Sequence, residues 1–359
     1  MLPRREIVEL LTTTPFQDVI ERADAVRKKF CGNIVHRRGI IEFSNVCIRS
    51  CDYCGLRGPN RAIRRYRMST EEIVEAARLV HEKGLRTLVL QSGEDPYYST
   101  EMICRVVAEI KSRGDTAVTL SLGVRPAEEY RLFREAGADR YLLKEETTDA
   151  ALYARVHSGK PLAPRIRALC ALKSLGFETG GGVMVGLPGL SAEMLADDLL
   201  FARELELDMF SVSPFIPHPN TPLTDMPPGA LHQSLRMLAA ARIVLEDAHL
   251  PATTALATLH PKGWEFGLLA GANVIMTSET PLCYRGDYEI YPNRISAKPL
   301  PEGYIESILR RLGRTVGTGV GGSLKREARV PSTDASADGV SETEQSSLAE
   351  LYDVAGALV

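Results

Sequence analysis

The sequence predicts an α/β fold in which about eight short strands, each followed by a helix, close a (β/α)8 barrel of the TIM type. Short apolar, β-branched runs alternate with helix-patterned stretches along most of the chain, and strands alternating with helices form a parallel sheet. The count of such units matches a closed barrel. Polar residues recur at the C-terminal ends of the runs, where barrels of this kind carry their chemistry.

The elements follow in order. Residues 1–30 read as helices, with Ile7, Leu10 and Leu11 on one face and Val19, Ala23 and Val26 on another, a segment suited to plugging the bottom of a larger fold. Ile34 to Phe43 reads as a hairpin or first strand, and a cysteine-bearing loop follows. Ser69-Thr70-Glu71-Glu72 is a capping box that opens a helix ending near Lys83 and Gly84. Leu85 to Gln91 is a buried strand. Further helices are expected near 99–113, 126–136, 149–157, 162–175, 191–205, 229–247 and 263–270. Strands are expected at 117–122, 139–144, 179–185, 209–214, 251–258 and 272–277. From about Ser323 the composition turns small and polar, as in 332–338, which predicts a disordered tail with a short helix near 347–357. The chain therefore divides into an N-terminal helical segment (1–30), the barrel (31–322) and the tail (323–359).

Hydrophobic content of 44% and charged content of 25% are those of a soluble globular protein. The net charge of -3 is not that of a nucleic-acid-binding surface. Seven cysteines, an odd number with three clustered, indicate a reducing compartment with metal chemistry rather than a disulfide scaffold. Without an apolar stretch of signal or membrane-spanning length, the expectation is a cytoplasmic protein with no membrane partner.

The loop after the first strand reads Phe43-Ser44-Asn45-Val46-Cys47-Ile48-Arg49-Ser50-Cys51-Asp52-Tyr53-Cys54. Three thiolates on one tight loop suit a [4Fe–4S] cluster with one iron left without a protein ligand. A structural zinc site needs a fourth Cys or His nearby, and a redox dithiol would leave Cys47 idle. Arg57, Arg61, Arg64, Arg65 and Arg67 follow. Such a run can grip nucleic acid, but more often it is a solvated face or a counter-charge to an anionic cluster. No nucleic-acid partner is expected.

The strand ends supply the remaining candidates. Gln91, Ser92, Gly93 and Glu94 follow the second strand, and Gly93 lets backbone approach a ligand. Thr119 and Ser121 share one face of the third. Lys144, Glu145 and Glu146 end the fourth, where a carboxylate can hold an amine or ribose hydroxyls and Lys144 a carboxylate. Gly180-Gly181-Gly182 on the fifth would let a flat ring pack against the backbone, and Thr253 and Thr254 end the seventh. Each has an ordinary structural reading: strand threonines, a capping Glu146, a surface Arg165. Their weight comes from falling at strand ends together. His218, between prolines, reads as a rigid loop element, and Cys104 and Cys170 as buried small residues on helices. The role of Cys283 stays open.

The Cys47, Cys51, Cys54 spacing resembles the signature of radical S-adenosylmethionine (radical SAM) enzymes, in which SAM chelates the open iron and one electron splits it to a 5′-deoxyadenosyl radical. Longer strings make the resemblance narrower. Ile41-Glu42-Phe43-Ser44-Asn45-Val46-Cys47, Arg65-Tyr66-Arg67-Met68, Leu90-Gln91-Ser92-Gly93-Glu94-Asp95-Pro96, Met184-Val185-Gly186-Leu187-Pro188-Gly189 and Pro251-Ala252-Thr253-Thr254-Ala255 are similar to the HydE family of [FeFe]-hydrogenase maturases. The resemblance covers about residues 30–295. It implies SAM held by Tyr53, Gln91, Ser92, Ser121, Glu146, Arg165 and Met184, with Gly93 and Glu94 beside them. It implies a cavity bordered by Thr119, Lys144, Thr253, Thr254 and Tyr288. The implied substrate is a small organometallic iron species carrying cysteine, CO and cyanide, on the way to the di-iron subcluster of the hydrogenase H-cluster. Other hydrogenase maturases and a reductant such as ferredoxin or flavodoxin are the implied partners.

The chain departs from that family at two places. Lys144-Glu145 stands where Arg-His is usual, so a substrate carboxylate would meet a point charge and not a bidentate fork. Ser296 stands where some members begin a second cluster motif, and no cysteine follows Cys283, so no second cluster is expected. Two related radical SAM readings remain, a biotin synthase type and a methylornithine synthase type acting on an amino-acid-like substrate. A different class would be a non-catalytic iron–sulfur scaffold.

Overall fold

Strands of this chain stack in parallel because each buried, β-branched run is followed by an amphipathic helix that carries the chain back across the sheet. The computed structural model describes residues 1–325 and 342–356. Two helices come first, α1 (Arg4–Thr12) and α2 (Phe16–Cys31), followed by β1 (Ile34–Ser44), α3 (Thr70–Glu82), β2 (Thr87–Ser92) and α4 (Thr100–Ser112). Next are β3 (Ala117–Ser121), α5 (Ala127–Glu135), β4 (Arg140–Leu142), α6 (Ala150–Val156), α7 (Ala163–Ser174) and β5 (Glu178–Val185). The chain continues through α8 (Ala192–Glu204), β6 (Met209–Pro214), α9 (Leu231–Leu245), β7 (Pro251–Ala252), α10 (Thr254–Leu259) and α11 (Gly263–Leu269). It ends with β8 (Val274–Ser278), α12 (Leu282–Arg285), α13 (Tyr304–Arg311), β9 (Thr315–Val316) and α14 (Glu342–Gly356).

The strand order β6-β5-β4-β3-β2-β1-β8-β7 is parallel throughout. A parallel bridge between Met209 and His249, just before β7, joins the two ends, and Phe210 N donates to His249 O at 3.0 Å. The eight strands therefore close the expected barrel, with α3, α4, α5 and α7 covering β1–β4 and α8, α9 and α11 covering the rest. β1 is one parallel strand, not a hairpin.

Three expectations change. The N-terminal helices do not plug the barrel; they pack outside it on α8 and α9, where Arg236 donates to Leu10 O and Thr14 O and Arg4 pairs with Asp197. The floor is closed instead by the segment after β9, whose Val320 and Gly321 carbonyls accept from Arg140 and whose Gly322 carbonyl meets His249. The expected strand at 251–258 stops at Ala252, because Thr253 is the N-cap of α10. The tail is also less uniform than expected: Ser323 Oγ donates to Asp208 at 2.5 Å, and α14 docks with Leu351 wholly buried and Ser347 bonded to Glu265. The polar run 332–338 lies outside the described residues. Among the described residues no helix is long and apolar enough to cross a membrane.

Candidate active site

β1 ends at Ser44 at the top of the barrel, and the cysteine loop begins there. Arg65 shapes that loop: its two terminal nitrogens donate to the carbonyls of Asn45, Leu56, Arg57 and Asn60. Asn45 ties the loop to the chain beyond β8, donating to Arg64 O and Asp287 O. Two glycines permit close approaches here. A Cβ on Gly93 would sit 2.2 Å from Val46 O and 2.8 Å from Cys47 Cβ, and one on Gly55 would sit 2.1 Å from Glu289 O.

Cys47, Cys51 and Cys54 all face one cavity of about 350 Å³ at the C-terminal strand ends. Burial pushes the Cys51 thiol up to about 12, with Cys47 raising it further, and moves those of Cys47 and Cys54 in the same direction. Iron would therefore displace protons on binding. Three thiols of one loop facing one cavity are a donor set that suits a [4Fe–4S] cluster with one iron left open.

The remaining wall brings together most of the expected residues: Tyr53, Gln91, Ser92, Gly93, Glu94, Ser121, Glu146, Arg165 and Met184 all line the same cavity. Glu94 is engaged by two arginines, Arg49 at 2.5 Å and Arg165 at 3.6 Å. Gly93 N is committed to Ser44 O. Glu146 sits in the left-handed region (φ 65°), held by its N–H to Gly182 O and its carbonyl to Met184 N, and its carboxylate lies 3.0 Å from Lys144 Nζ. Arg165 is fixed by Tyr153 Oη, at 2.9 Å, and Lys144 O, at 2.8 Å.

Lys144, Thr253, Thr254 and Tyr288 line the cavity as well. Thr119 does not reach the wall: it pairs with Val89 and Arg140 two residues before Ser121, and its hydroxyl is buried with no partner among the described residues. The glycines of β5 do not face a ligand either; Leu142, Met209, Glu145 and Ser211 crowd them, and only Met184 of that strand reaches the cavity.

Sequence reasoning missed several residues in and behind the wall. Glu42, wholly enclosed, accepts from Ser278 and Thr280 and pairs with Arg294, pinning the segment after α12 across the barrel mouth. Arg38 lies at the cavity floor, wholly buried, with Nε and Nη2 unpartnered among the described residues; burial and Arg140 lower it to about 9. His157, held neutral by burial at about 4, meets Tyr53 Oη at 3.0 Å. No spacing in the sequence marks these residues.

His218 is buried beneath Gly55 with Nδ1 accepting from Asn220 N, in keeping with a rigid loop element. Cys104 is half-buried, but Cys170 is exposed on α7, as is Cys283 on α12; the apolar face of α7 is Ala168, Leu169 and Leu172, and Cys170 points away from it. Within the arginine run, Arg57 pairs with Asp52, Arg64 with Asp287 and Arg67 with Asp95, so most of its charge is matched inside the protein.

A barrel with this loop at its mouth defines a class, and residues 41–202 match the Radical SAM superfamily. The chain is 49% identical over 303 residues to the [FeFe] hydrogenase maturase subunit HydE of Thermotoga maritima, covering 84% of this chain and 87% of that one. It belongs to the HydE family of radical SAM enzymes, a superfamily that works with a [4Fe–4S] cluster and SAM. It is also 27% identical to 3-methylornithine synthase of Methanosarcina acetivorans over 85% of this chain and 92% of that one. The solved structure of methylornithine synthase (PylB) superposes with a TM-score of 0.76 at 25% identity, covering 88% of this chain and 94% of that one. HydG from Carboxydothermus hydrogenoformans superposes at 0.78 over 91% and 78% of the two chains, at 20% identity, a likeness of fold alone.

Proposed function

We propose that Cys47, Cys51 and Cys54 hold a [4Fe–4S] cluster at which SAM is reductively cleaved. We further propose that the chain then acts on a small, cysteine-containing organometallic precursor during assembly of the [FeFe]-hydrogenase H-cluster. The observation that carries this reading is the gathering of three loop thiols and the polar strand ends around one cavity. When bound, the cluster supplies one electron and SAM a 5′-deoxyadenosyl group.

The chain's own residues divide the cavity. Tyr53, Gln91, Ser92, Ser121, Glu146, Arg165 and Met184 would surround SAM near the thiols. Gln91 Nε2 donates to Tyr288 Oη at 3.0 Å, which leaves the phenol O–H to donate into the cavity. Deeper, the Lys144 ammonium and the Arg38 guanidinium, whose Nε and Nη2 have no partner among the described residues, supply positive charge for a carboxylate or another anionic group. The Glu42–Arg294 pair holds the covering segment beside the chamber.

A small amino acid is the second reading, favoured by Lys144, a single ammonium that asks only for one carboxylate. A ferredoxin or flavodoxin as reductant and other maturases as partners follow from the family. Anaerobic reconstitution with iron and sulfide, followed by SAM and dithionite, tests the core of the proposal. 5′-Deoxyadenosine or an adenosylated product is expected, and neither forms if the protein is a non-catalytic scaffold. Restoration of hydrogenase activity in a strain lacking its own HydE separates the precursor reading from the amino-acid one.

A further inference from the structure

We propose that His157 is a positioning residue that holds Tyr53 in place and keeps its phenol proton off the Cys51 sulfur. The proposal rests on the cluster-binding reading above. His157 Nδ1 lies 2.9 Å from the carbonyl of Tyr153. A carbonyl only accepts, so Nδ1 carries the ring proton and Nε2 of the neutral ring is an acceptor. Tyr53 Oη, 3.0 Å from Nε2, is therefore the donor in that bond. The same hydroxyl neighbours Cys51 closely enough to act on its thiol. One phenol proton serves one strong bond, and the histidine takes it.

The neighbours of His157 grip the same loop. Val156 O accepts from Asp52 N at 2.9 Å, and Ser158 Oγ donates to Ser50 O at 2.8 Å. Three consecutive residues at the end of α6 thus clasp residues 50, 52 and 53. Tyr53 packs on the apolar cluster that includes Leu152 and Val156 of the same helix. On the far side, Tyr153 stacks on the imidazole with centroids 3.9 Å apart and 17° between planes, and its hydroxyl accepts from Arg165. One enclosed ring therefore links the cysteine loop to the strand-end wall.

Hydrogen bonds to cluster sulfurs help set an iron–sulfur reduction potential. Freed from His157, the Tyr53 hydroxyl would turn its proton to the Cys51 sulfur and stabilise the reduced, more negative state. The test is the midpoint potential of reconstituted holoenzyme by EPR-monitored titration, with the SAM dissociation constant measured alongside. His157→Phe keeps the ring stack but removes the acceptor; a shift to more positive potential and an about five- to tenfold weaker SAM affinity are expected. His157→Gln, whose amide can both accept from Tyr53 and donate to Tyr153 O, should restore both. The double variant Tyr53→Phe/His157→Phe should lose the potential shift. An unchanged potential in His157→Phe overturns the proposal, as does a shift that survives in the double variant. Should His157→Phe fail to hold a cluster, recovery of loading in His157→Gln supports the clasp, and failure of both overturns it. A cluster-independent readout separates this from the core reading: imidazole ¹⁵N shifts of the cluster-free protein should show the Nδ1–H tautomer at His157, and the Nε2–H tautomer refutes the assignment.

Discussion

Replacing Arg65 with Met removes the guanidinium and leaves a side chain of similar girth, so it tests whether one arginine organises the cysteine loop. Arg65 donates to four carbonyls, at 2.5 Å (Asn45), 2.9 Å (Leu56), 2.8 Å (Arg57) and 2.9 Å (Asn60). Asn45, Leu56 and Asn60 are buried, so water reaches their freed carbonyls poorly. Bonds to a charged donor contribute about 1.5–3 kcal/mol each, and solvent recovers part of that at the more open positions. The net local loss is on the order of 4 kcal/mol, about a thousandfold in the population of the loop able to hold iron. Because residues 45–65 carry no strand or helix of the barrel, the loss is local and the melting midpoint should move by less than ~2 °C. The assay is iron and sulfide content after anaerobic reconstitution, with 5′-deoxyadenosine formation as the second readout. Arg65→Met should load little iron. An Arg65→Lys variant, whose ammonium reaches fewer carbonyls, should fall between. Full iron loading and SAM cleavage within about twofold of wild type in Arg65→Met would refute this account of the loop.

Further outcomes follow from other parts of the site. Lys144→Met should leave SAM cleavage without substrate intact while weakening binding of a carboxylate-bearing substrate by about tenfold or more, measured by calorimetry. Gly93→Ala should abolish cluster loading, since its Cβ would lie 2.2 Å from Val46 O; iron analysis checks this. Burial raises the Glu145 carboxyl to about 8, and Asp198 beside it to about 7. The native state thus holds protons that the unfolded chain releases in the ordinary carboxyl range. Stability from these groups is fully present below that range and is lost as pH rises toward about 8. Glu145→Gln should flatten this loss, so denaturant melts at about pH 5 and about pH 8 should differ less for the variant than for wild type.

The barrel was legible because most strands are short apolar runs and many of the helices are amphipathic, several with side-chain caps, and Ser69-Thr70-Glu71-Glu72 forms the expected reciprocal cap. The thiols were legible from their spacing on one loop, and most of the polar strand ends because barrels carry their chemistry at the C-terminal ends of the strands. Thr119 failed by that same rule, since an inward residue two positions below the strand end meets neighbouring side chains and not the cavity. Pro251 to Thr258 reads as a strand by composition, yet Thr253 caps a helix, a choice made by packing against β6 and the barrel mouth. His157, Arg38 and Glu42 were not legible, because a single His, Arg or Glu takes its role from partners far away in sequence: Tyr53 lies 104 residues from His157, and Arg294 lies 252 from Glu42. The docked α14 was only partly visible, since its buried Ser347 and Leu351 stand in a largely polar stretch.

The most direct test of the central claim is the EPR spectrum of the dithionite-reduced, reconstituted protein before and after addition of SAM. A reduced [4Fe–4S] signal that changes shape when SAM is added, and that disappears in Cys47→Ser, Cys51→Ser and Cys54→Ser alike, is the expected result. A signal indifferent to SAM, or one that survives the loss of any of the three cysteines, would contradict it.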